Sequence, residues 1–289
     1  MSTTYLAYFV TRCNLYEAAP LDYLEREWKS FMDEIGDYKA ILGPRDNGPL
    51  ITAKRVAVGQ WAMIRPGSPT RIAQDAGGRP LMTNNARTER MATAPTYRDA
   101  WKHSNRCLIP ALSYNKPYWG TGKNIWWKFR RDDGSPWLLA GLWSEWTDRA
   151  SGEVVPNYTM LTQNCDAHPL LKLFHKPDPK LPPDEQDKRA VVPIERANWE
   201  QWLSGTIEEA QALIRLPALE TFAHGAAFPL KLLSRRTPSI TALHTKHCWK
   251  ISVGDLAPVR RDTNPCDRTS CCVGNRLNLV RYPRARFRV

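Results

Sequence analysis

Residues 106–114 read RCLIPALSY, and the runs NIWWKFR at 124–130, WLLAGLW at 137–143 and NYTMLT at 157–162 follow at short intervals. Each run is rich in aromatic or aliphatic residues and is bounded by Gly, Pro or Asp, the pattern of successive strands. Residues 55–64, RVAVGQWAMI, predict another strand, followed by a loop holding Gly67, Pro69, Gly77, Gly78 and Pro80. The mutual spacing of the runs points to an α+β fold: a twisted, mainly antiparallel, barrel-like sheet assembly with peripheral helices.

The helices lie outside this block. Leu21, Leu24, Trp28, Phe31 and Ile35 recur at helical spacing, Pro20 suits a first turn and Gly36 a stop, so a helix is expected over 21–35. Residues 195–203, ERANWEQWL, predict a second helix. Residues 206–213 predict a third, opened by a capping box from Thr206 to Glu209.

Charge divides the chain unevenly. The 289 residues carry a net charge of +12. Residues 224–289 hold 13 Lys and Arg against Asp255, Asp262 and Asp267, so nearly all of the excess lies in the tail and the body is close to neutral. The expected organisation is an N-terminal extension (1–12), one domain (13–222) and a basic, Cys- and Arg-rich disordered tail (223–289). No apolar run approaches the ~20 residues of a membrane helix, so no membrane partner is expected. The N-terminus is a poor secretory signal. Cys13, Cys107 and Cys165 are an odd, sparse set that suits a reducing cytoplasm better than a disulfide framework. The tail residues His244, His247, Cys248, Cys266, Cys271 and Cys272 lack the spacing of a zinc knuckle. No metal and no cofactor are expected, and the expected state is a monomer.

Four segments form an ordered set: CNLYE at 13–17, NNARTE at 84–89, RCLIPA with KPYWGTGK at 106–123, and HPLLKLFHKP at 168–177 with DEQDKRAVV at 184–192. Together they resemble the SOS response-associated peptidase family, the abasic-site processing proteins, over roughly residues 13–222. The resemblance implies a partner, single-stranded DNA containing abasic sites. It also implies a chemistry: an N-terminal cysteine whose amine and thiol close a thiazolidine ring on the sugar aldehyde. Only a cysteine with a free α-amine offers both groups on adjacent carbons. That amine titrates at ~7.7–8.0 unperturbed, so part of it is uncharged near neutrality.

Residue by residue, Cys13 matches the family's reactive cysteine, Asn85 the asparagine that orients it, Arg87 a phosphate contact, and His175 the proton shuttle. Trp61 and Arg65 fall where the family carries a strand and a DNA-facing loop, as a base-stacking ring and a phosphate contact. Trp61 is otherwise a core residue. Trp119, Trp126, Trp127, Trp137, Trp143 and Trp146 read mostly as packing residues at strand spacing. Two departures stand out. Cys13 follows Arg12 rather than an initiator Met, so its chemistry requires cleavage of the Arg12–Cys13 bond. Lys116 stands where the family has a catalytic Glu. It is expected, in order, as a solvated side chain in an inactive relative, as a phosphate contact, or as a buried amine that itself attacks an aldehyde. Competing functions are a non-covalent binder of single-stranded or damaged DNA, and a thiol peptidase using Cys13 and His175.

Overall fold

The computed structural model describes residues 15–32 and 35–227. The expected extension over 1–12, Cys13, and the tail beyond 227 with its His and Cys residues lie outside the described residues.

In chain order the elements are β1 (Tyr16–Ala18), α1 (Leu21–Glu27), β2 (Ile41–Leu42), β3 (Asn47–Ile51), β4 (Val56–Trp61), β5 (Asn85–Arg87), α2 (Arg98–Lys102), β6 (Arg106–Tyr118), β7 (Ile125–Arg131), β8 (Trp137–Thr147), β9 (Val154–Asn164), β10 (Arg189–Val191), α3 (Trp199–Ser204), α4 (Ile207–Ala212) and β11 (Phe222–Ala226). β9 pairs with β4, β4 with β3, β3 with β6, β6 with β8, and β8 again with β9, so the sheet closes on itself. The pairings are antiparallel except for β4 and β5, which run parallel to β9. This is the α+β, barrel-like assembly that the strand runs indicate. β11 pairs with β7 from Phe222 to Ala226, which carries the sheet past residue 222.

The strand at 106–114 extends four residues beyond its apolar run. It buries both faces: Cys107, Ile109 and Ala111 join one apolar cluster with Trp61, Trp137 and Tyr158, and Leu108 joins another with Leu138, Trp101 and Trp202. A strand covered on both sides reads as a continuous apolar run, which is why RCLIPA does not alternate. Gly141 is required where β8 crosses it, because a Cβ there would meet Thr159 O at 2.7 Å and Cys107 Sγ at 2.8 Å. Arg106 is almost wholly buried yet satisfied. Its Nε donates to Trp202 O at 2.5 Å and its Nη2 to Gly205 O, so it closes the C-terminal carbonyls of α3.

One expectation changes in detail and another holds. The 21–35 helix stops at Glu27 and resumes as one 3-10 turn, Lys29–Phe31. Trp28 and Phe31 both pack edge-on against Trp199, and this contact overrides the helical period. The capping box at Thr206–Glu209 is present in both directions.

Trp61 is not a base-stacking residue. It is fully buried, lies edge-on to Tyr16 at 4.9 Å, and donates its indole N–H to Asn84 O at 2.8 Å. It therefore anchors the residue just before β5. Trp61→Ala should lower stability by about 3–5 kcal/mol in equilibrium urea unfolding. A loss below about 1 kcal/mol would contradict this packing role.

Candidate functional site

β9 organises the site by pairing on both edges. On one edge β5 sets Asn85 beside Met160 and Arg87 beside Thr162. On the other, β10 sets Val191 beside the same Thr162 and Arg189 beside Asn164. Residues about a hundred positions apart are thus brought to one end of one strand.

β6 delivers Lys116 to the same place. Lys116 is completely buried and its Nζ donates to the carbonyl oxygen of Arg189. This overturns the expectation of a solvated side chain, and it also leaves the amine turned inward rather than toward a phosphate. His175 arrives from the opposite direction, after the 3-10 turn Leu171–Leu173. Phe174 anchors that turn among Tyr118, Trp127 and Phe129. His175 is then held at three points. Its N–H donates to Pro117 O at 2.7 Å, its carbonyl accepts from Lys188 Nζ at 2.9 Å, and its Nε2 lies 3.3 Å from Arg189 O. Its φ of 67° is a left-handed conformation that costs a non-glycine residue about 1–3 kcal/mol and persists only where the surroundings enforce it.

Lys116 and His175, two of the residues singled out from the sequence, therefore converge on one carbonyl oxygen. Asn85 is half-buried, and its own carbonyl accepts from Tyr97 Oη at 3.3 Å. Arg87 lies on the open side with its side chain 43% exposed. Its guanidinium is not idle: it binds Asp187 at 2.9 Å and lies 4.0 Å from Glu89. Arg189 binds the same two carboxylates, so Arg87, Asp187, Arg189 and Glu89 form a ring with no net charge. Arg65 is exposed beyond β4, where its carbonyl closes a turn with the N–H of Ser68 at 2.9 Å. Among the described residues no hydrogen bond or ion pair joins it to this cluster. His168 serves a turn: Nδ1 accepts from the N–H groups of Leu170 and Leu171, which leaves Nε2 to donate to Pro217 O.

The surroundings set the protonation chemistry. Burial pulls the Lys188 amine below the usual lysine range, against an opposing pull from Asp166. Burial also pushes the Cys165 thiol up, although Lys116, Arg189 and Lys188 act the other way. Cys107 is raised by burial alone. Burial raises Glu89, but its hydrogen bonds and its attraction to Arg189 and Arg87 together outweigh this, and the net shift is downward.

Arg189, Lys188 and Asp187 received no role in the sequence reading. They sit in DEQDKRAVV, whose mixed charges resemble any solvated loop. Only pairing across β9 shows that this segment supplies the central carbonyl.

Cys107 and Cys165 should resist iodoacetamide at about pH 8 in the native protein and react after denaturation, as read by peptide mass mapping. Native alkylation of either would contradict their burial. Glu89, with its lowered folded value, contributes stability above the unfolded value of 4.5 and loses it as pH falls through the lower folded one. Glu89→Gln should therefore lose less stability than wild type between about pH 5 and about pH 3 in urea unfolding. Equal losses would show that the ring does not contribute.

Residues 20–227 match the family described as SOS response associated peptidase. A crystal structure of a protein from Bordetella bronchiseptica is 30% identical, with a TM-score of 0.64 over 75% of this chain and 100% of that one. One from Bacteroides thetaiotaomicron shares the fold at 18% identity, with a TM-score of 0.62 over 76% of this chain and 94% of that one. No curated protein matches the chain. Among the described residues no helix is long and apolar enough to cross a membrane. The match spans nearly all of the described sheet and the segments that build the Arg189 cluster, and the chain belongs to the SOS response associated peptidase family, whose name ties it to the response to DNA damage.

Proposed function

We propose that this protein recognises abasic sites in single-stranded DNA and forms a covalent link to them through Cys13 once the Arg12–Cys13 bond is cut. The observation that carries this reading is the convergence of Lys116 and His175 on Arg189 O, beside the β5 strand bearing Asn85 and Arg87. Segments that resemble the family in sequence meet in space here, and this proximity supports the reading.

Chain connectivity supports the role of Cys13. The Leu15 carbonyl accepts the N–H of Asn115 at 3.0 Å, one residue before Lys116. Leu15, two residues after Cys13 in the sequence, is thereby fixed beside this end of β6. Condensation of the α-amine with the ring-opened sugar aldehyde forms an imine and releases water. The thiol then adds across the C=N bond, its proton passing to nitrogen, and the thiazolidine closes. His175 is the group suited to carry protons in both directions. Stopping at the imine would allow strand cleavage by elimination, which is the lyase activity that the family resemblance implies. Self-removal of residues 1–12 is the corresponding peptidase activity.

Lys116 favours a second reading. An ammonium in the acid's position weakens proton transfer, which leaves a module that binds single-stranded or damaged DNA without a covalent bond. Intact-mass measurement and denaturing gels with an abasic oligonucleotide separate the two. The first reading expects a chain beginning at Cys13 and a retarded band that is lost in Cys13→Ser. A chain that keeps residues 2–12 and gives no band supports the second.

A further inference from the structure

The segments 116–129 and 170–177 meet next to His175, and their side chains have a character unlike the Arg87 side of the site. They contain no Asp or Glu. Of their lysines, Lys116 is turned inward to Arg189 O and Lys128 is paired with Glu17 at 3.0 Å, which leaves Lys123, Lys172 and Lys176. On the other side, Asp187 and Glu89 neutralise Arg87 and Arg189. The positive charge that this side offers to a DNA backbone is therefore that of Lys123 on the β6–β7 turn and of Lys172 and Lys176 beside His175.

The same turn carries an aromatic ring in a fixed position. Trp119 follows β6 directly. Its backbone N–H donates to Leu173 O at 3.2 Å and its backbone carbonyl accepts from the N–H of Gly122 at 2.9 Å. The preceding residue, Tyr118, stacks on Trp127 at 4.7 Å and packs against Phe174 at 5.4 Å, the neighbour of His175. Lys176, the other neighbour of His175, holds its Nζ 5.7 Å from the centre of the Trp119 ring. Leu173 is 40% exposed beside it. A partly exposed indole, a lysine over it and a rigid backbone on both sides form the combination that binds single-stranded nucleic acid by stacking.

We propose that Trp119 and Lys176 bind the nucleotide that flanks the lesion, the indole stacking on its base and the ammonium meeting its phosphate. This rests on the single-stranded DNA reading above and adds its missing recognition element. An abasic sugar has no base to stack, so affinity has to come from a neighbouring nucleotide. Trp119, one residue from the Tyr118–Phe174 contact, is the ring placed to supply it.

The test uses the full chain, anisotropy of a labelled mixed-sequence single strand, and a second probe built entirely of tetrahydrofuran abasic units. Trp119→Ala should weaken binding of the mixed-sequence strand about ten-fold, and Trp119→Phe should restore most of the loss. The same Trp119→Ala protein should bind the base-free probe as wild type does, which also shows that it is folded. Lys176→Gln should lower the salt slope of binding by about 0.7. Equal affinity of wild type and Trp119→Ala for the mixed-sequence strand overturns this inference alone. A wild-type protein that binds neither probe overturns the functional reading, and this inference with it.

Discussion

The carbonyl oxygen of Arg189 is the fixed point of the site. It accepts from Lys116 on β6 and lies against the ring of His175 on the following turn, while its own strand is paired to β9. A buried ammonium without partners is costly, and a carbonyl is the partner that Lys116 finds here. Withdrawing that oxygen would free Lys116 and remove one of three restraints on a histidine already held in a left-handed conformation. The placement of His175 thus depends on strand pairing, not on its own local sequence.

A second consequence concerns charge. The ring of Arg87, Asp187, Arg189 and Glu89 braces β5 against β10 across the end of β9. Its exposed pairs contribute little individually, since such ion pairs are worth about 0–1 kcal/mol. Their effect on function is larger: an arginine already bound to a carboxylate is a weaker phosphate ligand. The body of the protein is nearly neutral, so the DNA affinity proposed for it would have to come from local features. Under that proposal Lys123, Lys172 and Lys176, beside Trp119, matter more than the overall charge of +12.

Much of the fold was legible because its signals are local. The runs around 106–114, 124–130, 137–143 and 157–162 each became a strand, and Thr206 with Glu209 formed the expected cap. What was not legible depends on contacts distant in sequence. Trp28, Phe31 and Trp199 cut short a helix whose apolar spacing ran on to Ile35. Trp61 falls where a DNA-facing ring was conceivable, yet the tyrosine and carbonyl around it made it a core residue. Lys116 could be aligned to the acid position from sequence, but its burial and its acceptor could not. The roles of Asp187, Lys188 and Arg189 emerge only when β10 is laid beside β9.

Under the proposed function, position 116 lies among the reacting groups, and its lysine stands where a proton-transferring acid would be needed. A glutamic acid there, protonated, can donate to the same Arg189 oxygen and preserve the geometry. The most direct measurement is crosslinking of abasic single-stranded DNA by a chain that begins Met-Cys13, with and without Lys116→Glu, on denaturing gels. Crosslinking is expected to be faster or more complete in Lys116→Glu. Equal or lower yield from a folded variant would contradict it.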